Sequence, residues 1–155
     1  MRHFDARVVA LADATPSIRV VRLAVSDPDF RFLPGQWVEL GLTLDGIPRS
    51  AGFSITSSPL VSGEIELAVK LSNRHPIAHW IHDAAAVGDA VTVSQGQGPF
   101  VFLPEMSDNV VLIGGGVGVT PMLSIFRHIR DAGLPTRCHL VYSACNHREF
   151  LFREE

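Results

Sequence analysis

The stretch from Val110 to Pro121, which reads V-V-L-I-G-G-G-V-G-V-T-P, decides how this chain is interpreted. Its four leading apolar residues, 110–113, are too few for a buried helix and predict a strand covered on both faces. Glycines let the backbone approach an anion closely, and the helix predicted to follow presents unpaired N–H groups. Thr120 is the predicted N-cap, and Pro121 suits the first turn. This order predicts a phosphate cradle, with a tight turn that binds nothing as the alternative.

The glycines of this stretch are Gly114, Gly115, Gly116 and Gly118. Read from Gly114, the dinucleotide fingerprint G-x-G-x-x-G would need a third glycine at Val119, so that fingerprint is absent. The glycine run is therefore a weak signal alone, and the rest of the chain has to support a ligand.

Composition places the chain among globular proteins. Its 155 residues are 46% hydrophobic and 19% charged, which supplies a core and argues against disorder. The net charge is −3 without a basic block, so nucleic acid is not an expected partner. No apolar run reaches membrane-spanning length, and neither a signal-peptide core nor an iron–sulfur or zinc cysteine spacing is present. These features predict a soluble cytoplasmic protein.

The first two thirds of the chain consist of short predicted strands divided by turns. Strands are predicted at 4–12, 18–25, 37–44, 52–56, 64–71 and 90–94, with a helix at 76–83. Asp45-Gly46 is a strong hairpin signal, and the 64–71 strand alternates polar and apolar residues. Six short strands at such intervals predict a closed antiparallel β-barrel.

The pattern changes between residues 104 and 108. A strand at 110–113, a helix at about 120–132 and a strand at 138–143 precede a polar helix start at Arg148. This β-α-β order predicts a parallel sheet. Two parallel strands do not make a stable sheet alone, so we expect an incomplete second domain whose open edge a homodimer would cover.

Taken together, these features resemble the ferredoxin–NADP⁺ reductase superfamily. The shared stretches are Pro34-Gly35-Gln36-Trp37-Val38, Gly52-Phe53-Ser54-Ile55-Thr56-Ser57-Ser58-Pro59, Val87-Gly88-Asp89, the glycine stretch and residues 150–155. The run G-F-S-I-x-S-S-P, without the usual arginine, is similar to the subgroup called oxidoreductase NAD-binding domain-containing protein. The resemblance implies a six-stranded Greek-key barrel over residues 1–104 that binds FAD, or FMN. It also implies a partial NAD(P)-binding α/β domain over residues 108–155.

The resemblance assigns the flavin contacts of the barrel residue by residue. Phe53 would pack on the isoalloxazine, Ser54 would hydrogen-bond near N5, and Ile55 follows them as a third cofactor residue. Ala51 stands where the family has a phosphate-binding arginine. Arg49 lies two residues earlier, on the same face of a strand, and is therefore expected to take the phosphate.

The short helix is the second implied phosphate site. The family has Gly-x-x-Ser where this chain has His75 and Ala78, so the backbone N–H groups of Ile77, Ala78 and His79 are expected to bind the phosphate. His75, His79 and His82 also suggest a metal site by their spacing. Because no glutamate base is interleaved, a surface or flavin-side position without metal is the prediction, and a metal site is the alternative.

The glycine stretch would hold NADH or NADPH. The implied contacts are Gly114, Gly115, Gly116, Gly118, Thr120 and Pro121. The adenosine ribose would lie at 143–148, where Arg148 suits a 2′-phosphate but is followed by Glu149, so the choice of dinucleotide stays open.

The implied reaction is hydride transfer to the flavin, with Ser54 and Thr120 beside the reacting rings, then electron transfer to an unknown acceptor. A non-catalytic flavin- or nucleotide-binding module, or an inactive truncation, is the alternative.

Overall fold

The computed structural model of the protein describes residues 2–72 and 75–155. The first part contains β1 (His3–Thr15), β2 (Ile18–Ala24), β3 (Trp37–Leu44), β4 (Ile47–Ser54), β5 (Glu64–Lys70), α1 (Pro76–Asp83) and β6 (Ala90–Ser94). The second part contains β7 (Asn109–Gly115), α2 (Thr120–Asp131) and β8 (Arg137–Ser143). Short 3₁₀ turns lie at Pro104–Met106, Gly116–Val119 and His147–Glu149. In the part of the chain that is described, no helix combines the length and apolarity needed to cross a bilayer.

Strands β1 to β6 form one antiparallel sheet in the order β4-β3-β6-β1-β2-β5. A bridge between Ile55 and Leu67 joins the chain just after β4 to β5, so the two ends of the sheet meet. The inward side chains form one core, in which Val8, Leu23 and Leu40 are at most 1% exposed. The predicted six-stranded antiparallel Greek-key barrel is confirmed, because alternation gives each strand one apolar face.

Strand β4 begins earlier than the sequence pattern predicted. The prediction was 52–56, whereas β4 pairs with β3 along its whole length from Ile47 to Ser54. Pro48 and the exposed residues after it hid the first half of the strand. A proline is tolerated there because β4 lies at one end of the hydrogen-bonded strand order. The predicted hairpin at Asp45-Gly46 is confirmed, with φ of 50° and 77° at its two turn residues.

Helix α1 packs on the barrel core. Its side chains Ile77, Ala78 and Ile81 are buried there, and the helix predicted at 76–83 is confirmed. Arg19 of β2 donates to the carbonyl oxygens of Ile81 and His82 at 3.0 and 2.7 Å. Carbonyls in the last turn of a helix have no partner inside it, so this arginine ties the helix end to the barrel.

The second sheet contains β7 and β8 among the described residues, and they pair in parallel as predicted. Helix α2 covers one face through contacts that include Leu112 and Ile125. The opposite face is open, with Val111, Ile113 and Val141 exposed by 61%, 69% and 55%. The expectation of a strand covered on both faces is therefore wrong for the described chain. An unbroken apolar run does not show which of its faces a neighbour covers.

The segment 146–155 lies against the barrel and α2. The helix expected from Arg148 is a single 3₁₀ turn, capped by the side chain of Asn146. Leu151 is 1% exposed and packs in a cluster with Ile18 of β2. The predicted helix is wrong because these tertiary contacts bend the chain back after one turn. The domain limits near residues 104–108 stay a prediction.

Candidate functional site

A cavity of about 340 Å³ lies where the glycine loop meets the barrel, and is named here the barrel–loop cavity. Phe53 and Ser54 enter it from the end of β4, and Gly118 and Thr120 from the loop before α2. Its lining consists of Gly52, Phe53, Ser54, Ala68, Lys70, Val117, Gly118, Thr120 and Pro121. Residues that the sequence assigned to two different ligands are therefore neighbours across one cleft.

The end of β4 offers an aromatic ring and a hydroxyl to this cavity. Phe53 is partly buried, rests on the barrel core and has its ring centroid 6.4 Å from that of His75. The hydroxyl of Ser54 makes no hydrogen bond within residues 2–72 and 75–155. An added Cβ at Gly52 would lie 3.1 Å from the ring of Trp37, so the glycine lets that ring pack against β4.

Ile55 has a different environment from its two predecessors. Its side chain is fully buried in the barrel core. Its N–H donates to the carbonyl oxygen of Gln36 at 3.0 Å. Only the carbonyl oxygen of Ile55 is left for the cofactor contact that the resemblance implies.

The glycine loop reaches α2 through the 3₁₀ turn Gly116–Val119. Thr120 is the first residue of α2 and not its N-cap, and its hydroxyl donates to the carbonyl oxygen of Val117 at 2.9 Å. The predicted cap is wrong because the 3₁₀ turn already gives Val119 helical dihedral angles, whereas a capping residue is extended. Pro121 lies in the first turn of α2, as predicted.

The glycines of the loop are needed for different reasons. An added Cβ at Gly114 would lie 2.9 Å from the Cα of Val119, and Gly116 has φ of 53°. The fold itself therefore requires these two glycines. At Gly118 an added Cβ would meet no atom within 4 Å. Because Gly118 lines the barrel–loop cavity, its bare backbone is open towards the cavity rather than towards other protein atoms.

Arg49 lies outside the barrel–loop cavity. It lines a separate groove of about 810 Å³, the Arg49 groove, together with Trp80 of α1. Arg49 forms no hydrogen bond or ion pair within the described residues. Ala51, two residues along β4, is buried in the barrel core. The guanidinium is free to take an anion, but at a distance from Phe53 and Ser54.

The N-terminus of α1 offers fewer backbone donors than the sequence suggested. His75 is the N-cap residue and makes no side-chain capping bond, and Pro76 has no N–H. The N–H of His79 donates to the carbonyl oxygen of His75 at 3.1 Å, so it is not available to a phosphate. The N–H groups of Ile77 and Ala78 have no acceptor in residues 2–72 and 75–155. Two of the three predicted donors therefore remain.

Lys70 is a cavity residue that the sequence reasoning missed. It ends β5 and is the one charged side chain in the described lining. Glu149 is an electrostatic neighbour of Lys70, and its carboxylate accepts hydrogen bonds from the hydroxyls of Ser17 at 2.6 Å and Thr15 at 2.9 Å. These hydroxyls, with Lys70, hold the pKa of Glu149 below its usual value. Alternation along β5 indicated that Lys70 faces outward, but no local signal showed what lies opposite it.

His79 and His82 of α1 and the N-cap residue His75 do not point to one place. The Nε2 of His82 lies 2.9 Å from the carbonyl oxygen of Val69, and the Nδ1 of His79 lies 3.4 Å from the carboxylate of Asp83. His75 instead lies beside the aromatic ring at the cavity. Across the described ranges, no three His, Cys, Asp or Glu side chains are grouped as a metal site requires.

Comparison with known proteins places this arrangement in a family. Residues 112–155 match the Oxidoreductase NAD-binding domain family. The protein named Oxidoreductase NAD-binding domain-containing protein 1 from Danio rerio is 42% identical over 168 residues, an alignment covering 99% of this chain and 61% of the relative. The chain is therefore related to NAD-binding oxidoreductases, and its fold is that of ferredoxin–NADP⁺ reductase-like proteins. The resemblance stated from the sequence motifs is confirmed.

Solved structures of ferredoxin–NADP⁺ reductase-like proteins share the fold. A cytochrome P450 reductase from Amycolatopsis superposes with a TM-score of 0.84 at 28% identity, covering 99% of this chain and 46% of that one. A ferredoxin NADP⁺ reductase from Neisseria gonorrhoeae with bound FAD and NADP has a TM-score of 0.82 at 21% identity, covering 99% of this chain and 62% of that one. The chain thus spans between about half and three fifths of the length of these three proteins.

Proposed function

We propose that this chain forms the flavin site and the first part of the nucleotide site of an NAD(P)H-dependent flavoprotein reductase. The observation that carries the proposal is the barrel–loop cavity, where Phe53 and Ser54 face Gly118 and Thr120. A reductase of this kind needs a flavin ring and a nicotinamide ring held in reach of each other, because hydride transfer depends on close positioning. The nucleotide side is supported by the family match over residues 112–155.

The residues of the cavity fit a flavin ring. The partly buried face of Phe53 suits an offset aromatic contact. The hydroxyl of Ser54, which has no partner among the described residues, suits a ring nitrogen or carbonyl. When bound, the flavin would supply the hydride acceptor and the dinucleotide the donor. The protein's part would be to orient these groups, and Lys70 would favour negative charge at the cavity. Ser54 and Thr120 are the two side chains proposed to lie beside the reacting rings.

The phosphate groups of the cofactor would lie at the N-terminus of α1 and towards Arg49. Among the described residues, the N–H groups of Ile77 and Ala78 have no acceptor, and they lie at the positive end of the helix dipole. Arg49 lies four residues from Phe53 along β4, which is roughly 13 Å at the rise of a strand. A cofactor that reached both would extend past a single phosphate into the Arg49 groove, so we propose FAD rather than FMN.

The glycine loop would bind the dinucleotide through its backbone. Gly118 leaves room beside the main chain, Gly115 lies beside the hydroxyl oxygen of Ser143, and Gly114 and Gly116 hold the loop in its shape. Thr120 and Pro121 begin α2 at the cavity, where the helix N-terminus favours an anion. Arg148 is the residue proposed to distinguish NADPH from NADH, because Glu149 turns away from it to Ser17.

Reconstitution with FAD tests this proposal. We expect purified protein at micromolar concentration to bind FAD with a shifted visible spectrum, and NADH or NADPH to bleach that spectrum. Phe53→Ala should weaken FAD binding, because it removes the ring contact. Ile47→Ala, which trims an exposed side chain at the opposite end of β4, is the matched control and should bind FAD normally. Protein that is colourless once unbound FAD has been removed would contradict the proposal.

A non-catalytic binding module is the second candidate function. It is favoured by the open face of β7 and β8, because no other described part of the chain covers that side of the proposed nucleotide site. Steady-state reduction of a dye acceptor separates the two candidates. FAD binding with turnover supports the reductase, and FAD binding without bleaching by either dinucleotide supports the module.

A further inference from the structure

We propose that Arg127 is a positioning residue that fixes the glycine loop against the barrel and thereby sets the approach of the two rings in the barrel–loop cavity. The inference rests on the proposed function for its kinetic readout, but its structural readout does not depend on that function. Arg127 lies in α2, away from the cavity lining, and no sequence motif singled it out.

The guanidinium of Arg127 is held by groups from three parts of the chain. Its Nη1 donates to the carboxylate of Glu66 at 2.7 Å and to the carbonyl oxygen of Thr56 at 3.0 Å, both on the barrel side. Its Nε and Nη2 donate to the two carboxylate oxygens of Glu155 at 2.9 and 2.7 Å. The ring centroid of Phe152 lies 4.5 Å from Cζ. This set is named here the Arg127 clamp, and the arginine side chain is 12% exposed in it.

The clamp and the cavity lie at two ends of one helix–strand contact. In α2, positions 120, 124 and 127 share a face, because residues four and seven apart align on a helix. Ser124 is fully buried between the ends, and its hydroxyl donates to the carbonyl oxygen of Ser57 at 2.8 Å. Thr120 at the cavity and Arg127 in the clamp are separated by roughly 10 Å along the helix axis.

Strand β5 provides the other side of this contact. Its outward residues Glu66, Ala68 and Lys70 follow one another at every second position. Ala68 and Lys70 line the cavity, and Glu66 binds Arg127. The same strand therefore carries the floor of the cavity and the acceptor of the clamp, so a slide of α2 along β5 would move the glycine loop across the cavity.

An ionic clamp fixes this position more narrowly than apolar packing would. The planar guanidinium takes two parallel bonds to Glu155 and two further bonds to the barrel, and such bonds depend steeply on direction. The apolar part of the same interface, Val119 and Leu123 against Ile18, tolerates small shifts because dispersion contacts lack direction. We therefore expect loss of the clamp to loosen the loop without separating α2 from the barrel.

The test compares Arg127→Met, Arg127→Lys and the control Arg130→Met. Met keeps the apolar stem of Arg127 without its bonds, and Lys restores the charge without the planar fork. Arg130 is the matched control, because it also binds Glu155, at 2.9 Å, but it is 52% exposed and none of its bonds reaches the barrel. Amide hydrogen exchange at residues 117–120 is measured in the protein without cofactor, and flavin reduction by NADH or NADPH is followed in the FAD-loaded protein.

We expect faster exchange at 117–120 in Arg127→Met and nearly unchanged exchange in Arg130→Met. At saturating dinucleotide, flavin reduction in Arg127→Met should be roughly 10-fold to 100-fold slower, with the FAD affinity within about 2-fold of the original, since small misplacements strongly slow transfer. Arg127→Lys should recover part of the rate. If Arg127→Met keeps the flavin reduction rate and the amide exchange at 117–120 of the original protein, the inference is overturned.

The inference and the proposed function fail in different ways. If the original protein binds no FAD, the proposed function is wrong. Amide hydrogen exchange at 117–120 then shows by itself whether the Arg127 clamp holds the glycine loop. If Arg127→Met does not fold, Glu66→Met takes its place, because it keeps the length of the side chain and removes the acceptor that Arg127 uses on the barrel. Unchanged exchange at 117–120 in that variant would also contradict the clamp.

Discussion

The barrel and the β7–β8 sheet use apolar strands in opposite ways. The barrel closes on itself, so Leu23 and Val38 are fully buried in a core that only helix α1 and short loops complete among the described residues. The two-stranded sheet is covered on one side by α2, and Ile113 on its other side is 69% exposed. The difference shows that a closed sheet buries its own apolar face. A pair of parallel strands buries its apolar faces only where another element packs against them.

The largest expected effect is on the free energy of unfolding. It compares a buried residue of the barrel with an exposed residue of the β7–β8 sheet. Leu23→Ala should lower the free energy of unfolding by about 2–5 kcal/mol, because it opens a cavity in the barrel core. Ile113→Ala should lower it by less than about 0.5 kcal/mol, because the side chain already faces solvent. Urea unfolding measures both changes. A large loss in Ile113→Ala would mean that the open face is covered in solution.

A smaller effect separates the two kinds of glycine in the loop. Gly114→Ala should destabilise the fold by about 1–3 kcal/mol, because its Cβ would press on the backbone of Val119. Gly118→Ala should leave stability unchanged and weaken dinucleotide binding, because the methyl group would fill space next to the cavity. Thermal unfolding and dinucleotide titration distinguish the two. Equal stability losses would show that Gly118 serves the fold as well.

A substitution at Arg148 tests the part of the β7–β8 region that is proposed to bind the dinucleotide. Arg148→Ala should raise the KM for NADPH roughly 10-fold, the value of one hydrogen bond to a charged group, and leave the KM for NADH nearly unchanged. Steady-state rates with both dinucleotides measure this difference. An equal effect on both would place Arg148 at a phosphate common to them, or outside the site.

The smallest expected effect is a pH dependence located in α2. Burial lowers the pKa of His128 from its usual 6.5, against an opposing effect of Asp131, and its Nδ1 is buried without a hydrogen-bond partner in the described chain. A lowered pKa means that the folded protein binds fewer protons than the unfolded one. The free energy of unfolding should therefore fall as pH drops through 6.5 towards the folded-state pKa.

The variant His128→Asn isolates this contribution. Urea unfolding between pH 5 and pH 8 should show a shallower decline at low pH in the variant than in the original protein, since the other histidines are common to both. Identical slopes would show that His128 does not contribute to the pH dependence.

Local sequence patterns predicted the structure correctly where a single strand or a single turn carries the information. The alternation predicted at 64–71 and the Asp45-Gly46 turn are confirmed as strand β5 and a hairpin, and the family motifs led to Phe53 and Ser54 at the cavity. The local patterns failed at the start of β4, where Pro48 masked an edge strand. They also failed at Thr120, where a 3₁₀ turn replaced the expected cap. In both places the neighbouring chain overrode the local preference.

The sequence by itself determined the closed barrel, the β-α-β order and the glycine turn, because burial alternation and turn chemistry are properties of a few consecutive residues. Only the tertiary structure decided that Lys70 lies opposite Thr120, that Glu66 binds Arg127, and that one face of β7 stays open. Such contacts join segments far apart in the chain. Nothing in a short stretch of sequence encodes the partner that folding brings to it.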